Sequence, residues 1–173
     1  MAYILGAGGF AAELQAWLEA DGLQATVEGF VTDPAYVASN DVADLGLPVM
    51  AFEDAPAEPA SFYLGVSDPA LKRKFVSQAL ALGWRPLSYL SRQAIVSSRA
   101  ALGPGVVVCP FSTVSPLSKL GDYVTVNCHS GIGHHARVGA YASLLGANSV
   151  NGHAEIGQDC LLGSGAQVHP KRK

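Results

Sequence analysis

The stretch Ile132–Val150 reads IGHHAR VGAYAS LLGANS V and determines how the second half of the chain folds. An aliphatic residue opens each group of six. Extending this register in both directions gives thirteen consecutive aliphatic residues without a gap, from Val96 to Val168. A second register, four positions after each aliphatic, holds small or moderate residues from Ala100 to Ala166. A period of six fits neither an amphipathic helix nor an alternating strand. It predicts a left-handed parallel β-helix with three short strands per coil, starting near Ala94.

Glycine often follows the aliphatic residue of the repeat. We expect these glycines to lie near the corners of the coil, where they allow tight turns that other residues resist. They are Gly103, Gly121, Gly133, Gly139, Gly157 and Gly163.

The first ninety residues have no such period. Short apolar runs bounded by glycine, proline and polar residues alternate there with helical spacing, which predicts a small Rossmann-like βαβ unit. We therefore predict a Rossmann-like α/β domain at residues 1–90 and a β-helix at residues 91–173. The predicted elements are strands at 3–5, 27–31 and 61–66 and helices at 10–19 and 69–82.

The loop after the first strand nearly matches a dinucleotide fingerprint. Gly6 and Gly8 have the required spacing to Ala11, and Asp33 follows at the distance of a ribose-binding acid. Glycines let backbone N–H groups approach a diphosphate at a helix N-terminus. The same glycines also fit a tight turn without a ligand, and ninety residues supply too few strands for a full dinucleotide domain. NAD is therefore the weaker of the nucleotide ligands considered.

Composition excludes several classes of protein. The net charge is −3 and only 14% of residues are charged, which predicts no binding to nucleic acid or to anionic membranes. The cysteines Cys109, Cys128 and Cys160 are odd in number and widely spaced, which argues against a disulfide framework and a zinc site. No basic segment follows Met1 and no apolar run approaches the roughly 20 residues of a membrane span. We expect a cytoplasmic location.

The glycine-loop domain followed directly by hexapeptide repeats resembles the sialic-acid O-acetyltransferase and bacillosamine or perosamine N-acetyltransferase family. The segment 64–74, LGVSDPALKRK, is similar to the family's third strand and basic helix, and 127–134, NCHSGIGH, is similar to the segment ending in its catalytic histidine. The resemblance implies a homotrimeric enzyme that moves an acetyl group from acetyl-CoA to an amino or hydroxyl group of a sugar, commonly a nucleotide-linked amino sugar.

The resemblance also implies site residues. His134 matches the general base, and the backbone N–H of Gly152 matches the group that meets the acetyl carbonyl. We expect acetyl-CoA to contact Ser143, Gly152, His153 and Ser164. We expect the nucleotide sugar to contact Gly8, Gly9, Phe10, Thr32 and Asp33.

This sequence departs from the family at several places. Phe10 stands where relatives often have histidine, and His135 stands where the catalytic histidine commonly has an acidic neighbour. Relatives run on for one to two further coils, whereas this sequence stops at Lys173. The shorter repeat leads us to expect weak acetyl-CoA binding.

The spacing of the repeat alone predicts that three histidines lie close together. His135 and His153 are eighteen residues apart, so they occupy one position on successive coils, and His134 lies beside them. Imidazole is suited to accept a proton near neutral pH, which favours a base for acetyl transfer. A metal site like that of the γ-class carbonic anhydrases is an alternative, although we expect no metal. A nucleotide-sugar-binding or scaffold protein without acetyl-CoA is the other alternative.

Overall fold

The structure is a computed structural model that describes residues 1–23, 26–37 and 46–173. Its contacts divide the chain into two compact units. The first comprises Met1–Val66 and Leu71–Leu87, and the second comprises Ser67–Ala70 and Ser88–Lys173. The assignment of residues 1–90 to nucleotide-sugar binding and of 91–173 to the hexapeptide repeat stays a prediction.

The first unit contains a five-stranded parallel sheet in the order β3-β2-β1-β4-β5. This order is typical of doubly wound nucleotide-binding folds and confirms the predicted α/β class. Among the described residues, no helix has the length and apolarity that a membrane span requires. The elements are β1 Ala2–Leu5, α1 Gly9–Ala20, β2 Val27–Thr32, α2 Pro34–Val37, β3 Val49–Ala51, a 3-10 helix Phe52–Asp54, β4 Ser61–Leu64, α3 Pro69–Ala81 and β5 Arg85–Pro86.

Two strands of this sheet were not predicted. β3 and β5 have three and two residues, which is too short for a periodic pattern, and they form because longer neighbours present hydrogen-bonding edges. The N–H of Phe30 donates to the carbonyl oxygen of Pro48 at 2.8 Å. A Cβ at Gly29 would lie 2.6 Å from that same oxygen, so glycine lets the two backbones approach.

The second unit is a three-walled parallel β-helix, as predicted. Its first strand, which pairs with the strand one coil later, precedes Ala94, so the repeat begins earlier than its sequence register indicated. Two walls have five strands and one has four. The strands are β6 Tyr89–Leu90, β7 Ile95–Val96, β8 Ala101–Leu102, β9 Val107–Val108, β10 Thr113–Val114, β11 Lys119–Leu120, β12 Thr125–Val126, β13 Gly131–Ile132, β14 Arg137–Val138, β15 Ser143–Leu144, β16 Ser149–Val150, β17 Glu155–Ile156, β18 Leu161–Leu162 and β19 Gln167–Val168.

Both sequence registers point into the coil. Aliphatic residues from Val108 to Val150 form one buried cluster with the small residues of the second register. Serines of the second register are buried but hydrogen-bonded; Ser112 Oγ, for example, donates to the carbonyl oxygen of Asn127 at 2.9 Å. Backbone N–H groups donate to the next coil, as from Thr113 to Ser130 at 2.9 Å. These bonds between coils satisfy the backbone N–H and C=O groups of strands that are only two residues long.

The repeat glycines have a different role from the one we expected. Positive φ occurs three positions after the aliphatic residue, where ten non-glycine residues have φ near +60°. The glycines one position after it have no positive φ. A Cβ at Gly121 would lie 2.7 Å from the backbone nitrogen of Ala140, and one at Gly133 would lie 2.5 Å from that of Gly152. At these two positions glycine is therefore needed for close approach of successive coils rather than for the turn.

Candidate functional site

The three corners of the β-helix share one backbone geometry but carry different side chains. Each corner has a residue of positive φ, repeated every eighteen positions. We call residues 116–117, 134–135, 152–153 and 170–171 the histidine corner. We call residues 110–111, 128–129, 146–147 and 164–165 the phenylalanine corner. The third corner stacks Tyr123 on Tyr141 with centroids 4.9 Å apart.

The histidine corner brings together the three imidazoles that the sequence predicted to cluster. The rings of His135 and His153 are stacked, with centroids 4.6 Å apart and planes 13° apart. The ring of His134 stands edge-on to both, with its centroid 5.4 Å from that of His135 and 5.1 Å from that of His153. The Nδ1 atoms of His134 and His135 are 3.2 Å apart, so one of them donates a hydrogen bond to the other. All three side chains are exposed to solvent.

His134 lies directly against Gly152, one coil further along. A Cβ at Gly152 would be 2.7 Å from Cε1 and 2.8 Å from Nε2 of the His134 ring. The missing side chain is therefore what leaves room for the imidazole in this position. Gly152 does not have positive φ, so the turn does not require glycine here.

The carbonyl group of Gly152 forms a hydrogen bond, but its N–H forms none with the described residues. Its carbonyl oxygen accepts from the N–H of Lys171, but within the described part of the chain its own N–H donates no hydrogen bond. The repeat explains why, since proline, which has no N–H, occupies the same register position elsewhere in the coil. These prolines are Pro104, Pro110, Pro116 and Pro170.

Positive charge gathers beside the histidine corner. Loss of hydration lowers the pKa of His153, and positive charge on His135, His134 and Lys171 lowers it further. This ring is therefore held toward its neutral form, which has a free lone pair.

Two open cavities border the three histidines. One, of about 420 Å³, is lined by His134, Gly152 and the polar wall residues Thr113 and Ser149. The other, of about 630 Å³, is lined by His135 and His153 together with Arg99, Lys119, Arg137 and Glu155. His134 therefore faces one groove, and His135 and His153 face the other, on the adjacent wall.

Two of the predicted acetyl-CoA contacts lie elsewhere in this unit. Ser143 is in the middle of a different wall, fully buried, and its Oγ has no hydrogen-bond partner. Ser164 is exposed at the phenylalanine corner. The structure of the single chain does not bring either residue to His134, and their roles stay predictions.

In the first unit, the glycine loop presents an open helix N-terminus. Helix α1 begins at Gly9 with Gly8 as its N-cap, and no side chain caps it. A Cβ at either glycine would meet nothing within 4 Å, so there is free space above the loop. Phe10 is half-buried and packs edge-on against Trp17, with ring centroids 6.0 Å apart. Its ring is thus partly engaged within the helix.

The end of β2 carries the predicted ribose contacts. Thr32 is buried, whereas Asp33 forms an ion pair with Lys74, with Nζ and Oδ1 2.6 Å apart. Lys74 belongs to the basic helix noted in the sequence, but its pairing with Asp33 was not predicted. The ion pair of Asp33 and Lys74 therefore places one carboxylate and one cation at the carboxyl end of β2.

No family profile matches the sequence. A GDP-perosamine N-acetyltransferase of Escherichia coli O157:H7 is 24% identical over 122 residues, which is 70% of this chain. The match spans about half, 55%, of that relative's length.

Two solved structures match almost the whole chain. PerB from Caulobacter crescentus, solved with CoA and GDP-perosamine, has a TM-score of 0.85 at 26% identity, covering 98% of this chain and 80% of PerB. The acetyltransferase domain of PglB from Neisseria gonorrhoeae FA1090 has a TM-score of 0.84 at 24% identity, covering 98% of this chain and 82% of that domain. Over nearly its whole length, the chain has the fold of these hexapeptide-repeat sugar acetyltransferases and resembles them in sequence.

Proposed function

We propose that this protein transfers the acetyl group of acetyl-CoA to the amino group of a nucleotide-linked sugar, with His134 as the general base. One observation carries the proposal. The imidazole of His134 lies against Gly152, 2.8 Å from Nε2 to the site where a Cβ would stand, and the N–H of Gly152 is free. A proton acceptor and an oxyanion donor are thus adjacent, which is the pair that acyl transfer to an amine requires.

The chemistry assigns one role to each group. Acetyl-CoA supplies an acyl carbon with a thiol leaving group. His134 accepts a proton from the sugar amine as the amine nitrogen bonds to that carbon. The N–H of Gly152 stabilises the negative charge that develops on the carbonyl oxygen. His134 then returns the proton to the departing sulfur, which leaves the acetylated sugar and CoA as products.

His135 orients the base in this proposal. If Nδ1 of His134 carries the proton and donates to Nδ1 of His135, the Nε2 atom of His134 keeps its lone pair. A neutral imidazole acceptor would thereby replace the acidic neighbour that is common in the family. His153 stacks on His135 and limits the rotation of its ring.

The acceptor is proposed to bind through its nucleotide at the glycine loop. The open N-terminus of α1 suits phosphate oxygens, and Thr32 and Asp33 lie at the carboxyl end of the neighbouring strand β2. The perosamine enzymes that resemble this chain act on a GDP-linked sugar, so a GDP-linked amino sugar is the first candidate. The Asp33–Lys74 ion pair must rearrange or adapt if the carboxylate is to accept from a ribose hydroxyl.

A homotrimer in the cytoplasm completes the proposal. Ile95 and Phe111 are large apolar residues on or beside one wall of the β-helix, and they are 74% and 57% exposed. Burial of such residues against a neighbouring copy would remove them from water. Cys109, Cys128 and Cys160 form no disulfide bond, which suits a reducing compartment. Light scattering at micromolar concentration tests the trimer, and a monomer would contradict it.

The test is an assay of acetyl transfer with acetyl-CoA and a panel of GDP-, UDP- and CMP-linked amino sugars, with products identified by mass spectrometry. We expect one class of nucleotide sugar to be acetylated and His134→Ala to be nearly inactive. Binding of nucleotide sugars without turnover would favour the alternative of a binding or scaffold protein. Absence of both binding and turnover would contradict the proposal for both units.

Gly8→Val tests the nucleotide site separately. The backbone of Gly8 is extended and a Cβ there meets no other atom, so the variant can fold. The branched side chain would nevertheless block ligand phosphates from the loop amides. We expect KM for the nucleotide sugar to rise at least about tenfold with little change in thermal stability. An unchanged KM would place the acceptor elsewhere.

A further inference from the structure

The three histidines at the corner are also arranged as metal ligands. We propose that His134, His135 and His153 bind one divalent transition-metal ion, and that the bound ion switches off acetyl transfer because an ion on Nδ1 of His134 leaves the ring proton on Nε2, the atom that must accept one. Metal binding stands on the geometry alone, whereas its inhibitory effect rests on the proposed function.

Two of the nitrogens already have the separation of ligands to one ion. Zinc–imidazole bonds of about 2.0–2.1 Å place two nitrogens of a tetrahedral site about 3.3 Å apart. The Nδ1 atoms of His134 and His135 are 3.2 Å apart. The ion would take the place of the proton between these two nitrogens, and the neutral ring of His134 would then carry its proton on Nε2.

The third ligand is within reach. One nitrogen from each of the three rings lies within 4.8 Å of the others. The ring of His153 is stacked on that of His135, so it must tilt to direct a lone pair at the same ion. Its side chain is exposed, so solvent borders the ring as it tilts away from His135, and its backbone is held by a hydrogen bond from its N–H to the carbonyl oxygen of His134 at 3.0 Å. A fourth position would remain open to water.

The donor set selects the class of metal. Three imidazoles favour Zn²⁺, Ni²⁺ or Cu²⁺ over Mg²⁺ and Ca²⁺, which prefer oxygen ligands. Lys171 and Arg137, which lie near the cluster, oppose the binding of a dication. We therefore expect a reversible site rather than a permanently bound structural metal. From the sequence we expected no metal, because the cysteine spacing does not suit a zinc site and the γ-class carbonic anhydrases lack a glycine-loop domain.

Binding is tested on the full-length protein without a histidine tag. Co²⁺ is titrated while visible absorption is recorded, and Zn²⁺ is then added as competitor. We expect one Co²⁺ per chain, with the intense bands of tetrahedral coordination, displaced by Zn²⁺. His153→Asn should weaken Co²⁺ binding at least about tenfold, the lower bound for losing a ligand's supporting contact. Asparagine tolerates the positive φ of this position, so the backbone should be preserved.

The matched control is His129→Asn. His129 has the same repeat position and the same positive φ, but it lies at the phenylalanine corner and stacks on Phe111. Its replacement should leave Co²⁺ binding unchanged. Equal binding by wild type and His153→Asn, or loss of binding in His129→Asn, would overturn the assignment of the site.

Inhibition is measured by mass spectrometry of the acetylated sugar, because free CoA thiol itself binds zinc. Acetyl transfer should fall to less than a tenth at Zn²⁺ concentrations that saturate the site and should return when a chelator is added. A saturated site with an unchanged rate would overturn the inhibitory role. If no nucleotide sugar is acetylated, the proposed function fails, while the cobalt titration still decides whether the metal site exists.

Discussion

The histidine corner and the phenylalanine corner of the β-helix have the same backbone and different chemistry. Each has a histidine at positive φ that stacks on the ring one coil away: His153 on His135 at 4.6 Å, and His129 on Phe111 at 5.1 Å. Each also has a glycine at the preceding register position. At Gly152 a Cβ would strike the ring of His134, whereas at Gly146 it would lie 3.7 Å from a carbonyl oxygen.

This comparison separates what the repeat supplies from what single residues add. The repeat supplies a free N–H, a left-handed turn and stacked rings at both corners. Only the histidine corner adds an imidazole, that of His134, which lies against a glycine of this register. The catalytic proposal therefore depends on His134 and on the space at Gly152, and it predicts different consequences for equivalent substitutions at the two corners.

The largest expected effect is that of His134→Ala. Removal of a positioned general base should lower kcat at least about a hundredfold. The side chain is exposed, so the melting temperature should stay nearly constant. His129→Asn is the control and should retain the wild-type rate. Comparable losses in the two variants would show that the corners do not differ in the way proposed.

The second effect is that of Gly152→Ala against Gly146→Ala. A methyl group at residue 152 must displace the His134 ring, and a displacement of about 1 Å can cost up to a hundredfold in rate. The same methyl group at residue 146 makes an ordinary contact and should leave kcat unchanged. Neither glycine has positive φ, so both variants should fold. Steady-state kinetics of the pair decides whether the space at Gly152 matters.

A third and smaller effect concerns the orientation of the base by His135. His135→Gly keeps the positive φ but removes the acceptor for Nδ1 of His134, and we expect kcat to fall about tenfold. His135→Asn keeps an acceptor oxygen and should recover part of the loss. Nitrogen chemical shifts of His134 provide a second measurement, since they report which ring nitrogen carries the proton. The same tautomer in wild type and His135→Gly would contradict the orienting role.

Much of the fold could be predicted because the core residues of the β-helix recur at a fixed period in the sequence. Inward positions such as Val126 and Ala142 recur every six residues, and the strands follow from them. β3 and β5 could not be predicted, because strands of three and two residues show no period and depend on the edge of a neighbour. The role of the repeat glycines was also missed, since the sequence shows where glycine recurs but not what a Cβ at that position would contact.

For the site, the repeat register and the family resemblance predicted which residues lie together but not how their side chains pack. The grouping of His134 with His135 and His153 follows from their spacing, and the structure brings them together. The packing of His134 on Gly152 requires coordinates, because it depends on a ring orientation. The predicted acetyl-CoA contacts at Ser143 and Ser164 lie on other parts of the coil, and the structure of one chain does not bring them to His134.

The smallest expected effect is on stability rather than on rate, and it occurs at the phenylalanine corner. His129 stacks on Phe111 at the phenylalanine corner, and such a pair contributes about 0.5–1.5 kcal/mol beyond the area it buries. His129→Asn preserves the turn but removes the ring, so the free energy of unfolding should fall by about 0.5 kcal/mol while acetyl transfer stays unchanged. A double-mutant cycle with Phe111→Asn, which also keeps positive φ, isolates the stacking energy in chemical denaturation. A coupling energy of zero would mean that the stack is incidental. A loss of acetyl transfer in His129→Asn would mean that the phenylalanine corner takes part in the reaction. We expect substitutions at the histidine corner to lower the rate at constant stability, and substitutions at the phenylalanine corner to lower stability at constant rate.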